Sequence, residues 1–220
     1  MRTILVPVAD RPECARALRT AFDLGIQLNA SVTGCHIRPH ARSRVSLPAQ
    51  LIPDGSDAAW ESAISGKSSK KMSAAARRMF GKVAEAHGYN LVRRLSSNPG
   101  AIWQEKVGSP DKIMAISGPV SDLIVVSRPA SKSGKVARII QMAALMDSSR
   151  PVLLLPQSNK AAVGKRISIA WNQSAEAARA VTLSIPLLQA AEDVKIISCG
   201  PETELGPKST QLANYLRCYG

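Results

Sequence analysis

Between Ser121 and Pro156 the chain reads SDLIVVSRPASKSGKVARIIQMAALMDSSRPVLLLP, and this stretch limits the possible folds more than any other. It holds an apolar run (Leu123 to Val126), a polar loop, a helical pattern and a second apolar run (Val152 to Leu155). Both runs are short, aliphatic and bounded by Ser or Pro, as expected for buried strands of a parallel sheet. Between them Val136, Ile139, Ile140, Ala143 and Ala144 recur at helical spacing and form one apolar face. Strand, loop, helix, strand is a βαβ unit, and such crossovers are right-handed. In an open parallel sheet, small ligands bind beyond the carboxyl ends of the strands, where the strand order reverses. The loop from Ser127 to Lys135 lies at such an end.

The preceding residues build up to this unit. Residues 2–8 form a first strand. Cys14, Ala17, Leu18, Ala21, Phe22, Gly25 and Leu28 then share one helical face, and Ser31 to Ile37 is a second strand. Arg38 to Ser56 carries Pro39, Pro48, Pro53 and Gly55 without a clear period, so it is a long loop. Met72, Ala75, Ala76, Met79, Phe80 and Val83 mark a second helix, with Lys70, Lys71, Arg77, Arg78 and Lys82 around it. Ala101 to Val107 is a third strand, and a short helix spans about Pro110 to Ser117. The predicted first domain, residues 1–157, is β-α-β-α-β-α-β-α-β, a doubly wound α/β sheet.

After a linker (158–164) the beginning repeats: RISIAWNQSAEAARAV echoes RTILVPVADRPECARAL, with Glu176, Ala178, Arg179 and Ala180 matching Glu13, Ala15, Arg16 and Ala17. A strand, Val194 to Ser198, and a helix from about Thr210 to Tyr219 complete residues 165–220 as an incomplete second copy, β-α-β-α. A half sheet exposes one flank of its last strand. The expectation is a truncated copy, or a half that leans on something else.

Composition sets the outer limits. The 220 residues are 45% apolar, a globular value, and no uncharged run approaches a membrane span. MRTILVPVAD is too short in apolar residues for a signal peptide, so a cytoplasmic protein is expected. Cys14, Cys35, Cys199 and Cys218 are scattered without ligand spacing, which fits buried free thiols rather than a metal site or disulfides. The net charge of +13 is uneven. Met1 to Val163 has 23 Lys/Arg against 11 Asp/Glu, and the rest has six against five. That excess favours anionic partners without dictating the fold.

The segments ILVPVAD with ECARAL, SDLIVVSRP, SSRPVLLLP and ISIAWNQSAEAARA together resemble the tandem bacterial universal stress proteins. The resemblance covers the first domain end to end and the front of a second. It implies strand order 3-2-1-4-5, a cytoplasmic protein, and pairing of two domains through their last strands, here Val152, Leu153, Leu154 and Leu155. In many members it also implies ATP or another adenine nucleotide between strands 1 and 4. That site needs a carboxylate after strand 1, two glycines three residues apart after strand 4, and a later Gly-Ser/Thr pair at a helix N-terminus. In this chain the glycine positions fall at Ser127 and Ala130, and the Gly-Ser pair at Arg138 and Ile139. Ala9 takes the acidic position with Asp10 one residue late, and Asn172 stands there in the second copy. These departures argue against ATP in the first domain.

Other motifs are weaker. Ser131 to Lys135 suggests a phosphate loop, but a Walker A motif needs Gly at 129 and Ser/Thr at 136, where Pro129 and Val136 stand. Arg128, Lys132, Lys135 and Arg138 can still hold an anion near the switch point. Arg38, Arg42 and Arg44 flank His36 and His40, yet no aromatic residues interleave with the cations to stack on bases, so a solvated face is the simpler reading. Trp60 and Phe80 serve packing, Trp103 and Trp171 are expected in the core, and His87 is read as a helix C-terminal cap. No nucleophile motif is present.

The expectation is therefore a non-catalytic universal-stress-type regulatory or interaction module that forms a homodimer, is open to protein partners, and has no required cofactor. The alternative is an adenine-nucleotide (ATP) binding or weakly hydrolysing protein using Asp10, Arg11 and the basic loop, or Asn172 and Ser174. A third reading is a nucleic-acid or polyanion binder.

Overall fold

The computed structural model of the chain describes residues 1–38, 66–130, 134–157, 163–200, 202 and 205–220, and of residues 66–69 and 134–135 the backbone alone. The long loop after Arg38, with His40, Arg42, Arg44 and Trp60, lies outside the described residues, as do Lys132 and most of the linker. The chain divides into two compact units, Met1–Asn159 and Lys160–Gly220.

The first unit runs β1 (Thr3–Pro7), α1 (Pro12–Leu28), β2 (Ser31–Arg38), α2 (Gly66–Ala86), β3 (Ala101–Val107), α3 (Pro110–Ser117), β4 (Leu123–Ser127), α4 (Gly134–Met146) and β5 (Val152–Leu155). The strands form one parallel sheet in the order β3-β2-β1-β4-β5. This is the doubly wound sheet expected from the sequence.

Strand alternation divides the core between the two faces. Leu5, Cys35, Ile37, Ile124 and Val126 pack against Ile113 and Met114 of α3 and Ala143 and Ala144 of α4. On the α1 and α2 side, Phe22 and Phe80 are wholly buried, with ring centroids 5.7 Å apart. Gly34 of β2 permits this packing, because a Cβ there would lie 2.5 Å from the Phe80 ring. Helix α1 starts at Pro12, whose missing N–H costs nothing in the first turn. It ends at Asn29, whose φ of 51° is the left-handed conformation that closes a helix. Asp122, at the start of β4, accepts the backbone N–H groups of Arg2 and Thr3 and so ties the two central strands together.

Two expectations need correction. Leu123 to Val126 is fully buried, but Val152 and Leu153 are half-buried and Leu154 is 38% exposed. The reason is topological: β5 is the sheet's last strand and has β4 on one side only. The four cysteines are free, but only Cys35 is buried and Cys14 half-buried, while Cys199 and Cys218 are exposed. The exposed pair lies just past a strand end and in the C-terminal 3-10 turn, outside the second unit's core.

The second unit has β6 (Arg166–Trp171), α5 (Ala175–Gln189), β7 (Asp193–Ser198), α6 (Ser209–Leu216) and a 3-10 turn (Arg217–Tyr219). Its two strands are parallel. Ile169 and Trp171 of β6 pack with Val181 and Leu188 of α5 and Leu212 of α6 into a small core. The Trp171 indole N–H donates to the Pro207 carbonyl at 2.8 Å. Among the described residues no helix is long and apolar enough to cross a membrane.

Candidate functional site

In the first unit the strand order reverses between β1 and β4. The carboxyl ends of those strands, Pro7 and Ser127, border the crevice where a doubly wound sheet takes its ligand. The pocket there is lined by Val8, Ala9, Arg11 and Cys14 from the β1–α1 side, and by Ser127 and Pro129 from the β4 side. Ala137, Ile140 and Gln141 of α4 close it. Its volume is about 40 Å³. Sites for small ligands are roughly 300–1,000 Å³, well above the volume of this crevice.

Hydrogen bonds between segments distant in sequence tie the edges of the crevice together. The Ser127 hydroxyl donates to the Glu13 carbonyl at 2.8 Å, joining the end of β4 to the first turn of α1. Gln157, just past β5, donates through its side-chain amide to the Pro129 carbonyl at 2.6 Å and accepts from the Arg16 guanidinium. The Arg128 backbone N–H donates to Leu155 at 2.8 Å. The segments after β4 and β5 and helix α1 are thus bound to one another beside the crevice.

The predicted site residues separate accordingly. Arg11 and Ser127 line the pocket. Asp10, Arg128 and Arg138 are exposed and do not line it. Lys132 and the Lys135 side chain lie outside the described residues. In the second unit Asn172 accepts the Ser174 N–H at 3.2 Å, and the Ser174 hydroxyl accepts the Ala177 N–H at 3.1 Å. That is N-cap geometry, with both side chains engaged in starting α5.

Cys14, His36 and Glu105 were not singled out as site residues from sequence, and of these Cys14 alone lines the crevice. Cys14 lines the pocket, and burial pushes its thiol pKa up. Its place on the buried face of α1, three residues past the strand-end loop, was the available signal. His36 is buried at the end of β2; its Nδ1 donates to the Val8 carbonyl at 2.8 Å and its ring stacks on Trp103. Burial lowers the His36 pKa, against the pull of the Val8 carbonyl and Glu105. Glu105 in turn pairs with Arg38 at 2.7 Å and accepts the Ser73 hydroxyl of α2. His87 is the C-terminal partner expected: its Nδ1 meets the Val83 carbonyl at 2.6 Å.

No family model matches the chain, and no curated protein matches it. Solved structures do. A universal stress protein in complex with cAMP is 16% identical, with 71% of this chain and 98% of that chain covered and a TM-score of 0.42. A universal stress protein from Lactobacillus plantarum is 14% identical, with 70% and 97% covered and a TM-score of 0.46. A universal stress family protein from Arabidopsis thaliana with AMP bound is 13% identical, with 72% and 93% covered and a TM-score of 0.42. The described neighbours are consistently of the family that the sequence segments resemble.

Proposed function

We propose that the chain is a non-catalytic universal-stress-type protein, a cytoplasmic regulatory or interaction module whose first unit has lost the family's nucleotide site. The observation that carries this reading is the crevice between β1 and β4, which is about 40 Å³ in volume. Ser127 stands where a glycine would let backbone approach phosphate, and its hydroxyl is committed to Glu13. Arg138 and Ile139 stand where a Gly-Ser pair would donate, and Ile139 is buried. Self-association is proposed through β5, which has β4 on one side only.

The test is a calorimetric ATP titration of the full chain at moderate salt. The expected result is no binding heat at high protein concentration. Saturable 1:1 binding that weakens on Asp10→Ala would overturn the reading and favour an adenine-nucleotide-binding protein that uses the basic loop in place of glycines.

A further inference from the structure

The exposed face of α2 carries Lys70, Lys71, Arg77, Arg78 and Lys82, all exposed. At 3.6 residues per turn the five fall within about 140° of arc and along about 18 Å of helix axis. The opposite face is held by the fold: Ser73, Ala76, Phe80 and Ala84 are buried. Glu85 is the one carboxylate on the basic arc, at its C-terminal end. Among the described residues, none of the five cations is within ion-pair distance of a carboxylate.

Helix stability does not account for this arrangement. Four residues after Lys70 and Lys71 come Ala74 and Ala75, so neither has an acidic partner one turn on. Arg78 and Lys82 are like charges at that same spacing, which disfavours the helix. Such a stripe weakens the element that carries it, and a ligand that neutralises the charges would reverse the effect.

We infer that this face of α2 binds the phosphate backbone of duplex nucleic acid without reading sequence. The ligand must be a polyanion, because five cations in line match repeated charge and not a single phosphate. Duplex DNA carries one charge per roughly 1.7 Å of axis with both strands counted, so an 18 Å length holds about ten phosphates, about five on each strand. A membrane surface fits less well, because the apolar face that would enter it is packed against the sheet through Ala76 and Phe80. Single strands fit less well too, since no aromatic side chain stands on the basic arc to stack bases. This inference is independent of the state of the nucleotide crevice.

The test uses the full chain and a fluorescein-labelled duplex of mixed sequence, read by anisotropy over a salt series. Five phosphate contacts give a slope of log K against log salt of about −4.5, a loss of roughly 500-fold between 50 and 200 mM. Changing Lys71, Arg78 and Lys82 to Gln is expected to shrink that slope by about 2.7, at about 0.9 per cation. Arg77→Lys/Arg78→Lys, which keeps charge, is expected to retain binding, and Arg166→Gln/Lys195→Gln in the second unit to leave it unchanged. Circular dichroism of each variant separates lost binding from lost helix. Absence of binding at 50 mM salt, or a slope indifferent to the α2 changes, would overturn the inference. So would tighter binding to single strands, to phosphatidylserine vesicles or to polyglutamate than to the duplex.

Discussion

The Ser127 hydroxyl and the Glu13 carbonyl, 114 residues apart in sequence, meet at 2.8 Å and join the end of β4 to the start of α1. The bond lies where the sheet changes direction, so it holds the crevice shut. Ser127→Ala removes the donor and keeps the volume. It is expected to destabilise the first unit by about 1 kcal/mol, the net worth of a half-buried neutral hydrogen bond. Urea unfolding in a Trp171→Phe background leaves Trp60 and Trp103, both in the first unit, as probes. A midpoint unchanged by the substitution would show that the tie contributes nothing.

Gly34 of β2 leaves the space that the Phe80 ring of α2 occupies. A Cβ at position 34 would stand 2.5 and 2.7 Å from two ring carbons of a side chain with no exposure. Gly34→Ala therefore forces the ring to move and is expected to cost about 1–3 kcal/mol, the usual range for overpacking. Phe80→Leu in the same chain should relieve part of that strain. A double-mutant cycle by urea unfolding is expected to show coupling between the two sites of at least about 0.5 kcal/mol. Additive effects would mean that the strand, rather than the ring, absorbs the new methyl group.

His36 gives the first unit a pH dependence near neutrality. Burial holds its pKa below the usual histidine value of 6.5, so between the folded and unfolded values the unfolded chain binds more protons. Its contribution is fully present above about pH 6.5 and is lost as pH falls through the folded value. Arg38, Arg11 and Glu105 surround the ring, the arginines lowering the pKa and the glutamate raising it. The melting temperature of the wild type is expected to fall faster between pH 7 and pH 5 than that of His36→Gln. Parallel profiles would remove His36 from this role.

The strands and helices were legible because most strands hold a short apolar run and each helix face has its own period, and neither signal depends on distant residues; the strand order came from the family resemblance. Leu123 to Val126 and the Val136–Ala144 face come directly from local spacing. The family glycines missing at Ser127 and Ala130 marked the crevice as altered. How it closes was not legible, because the closing bonds join residues distant in sequence: Ser127 to Glu13, Gln157 to Pro129, Arg16 to Gln157. The burial of β5 was misjudged for a related reason. VLLL has the composition of a central strand, and only the topology places it at an edge. The same composition on a free edge is what makes it a candidate for association.

That edge leads to the last prediction. Val152 and Leu154 share the sheet face of Ile124 and Val126, their partners on β4. Leu154 is 38% exposed, and on α4 beside it Met142, Leu145 and Met146 are exposed too. The strand is short and bounded by Pro151 and Pro156, and within Val152–Leu155 no lysine or proline blunts the edge. A strand of this kind is satisfied by a second copy, whose unpaired N–H and C=O groups match its own across a twofold axis. Leu154→Lys sets a charge where two copies would meet, at a position already open to solvent, so the fold should tolerate it. Sedimentation velocity at micromolar concentration is expected to show a wild-type dimer that the substitution converts to monomer with unchanged circular dichroism. A wild-type monomer at all concentrations, or a dimer indifferent to Leu154→Lys, would move the assembly surface away from β5.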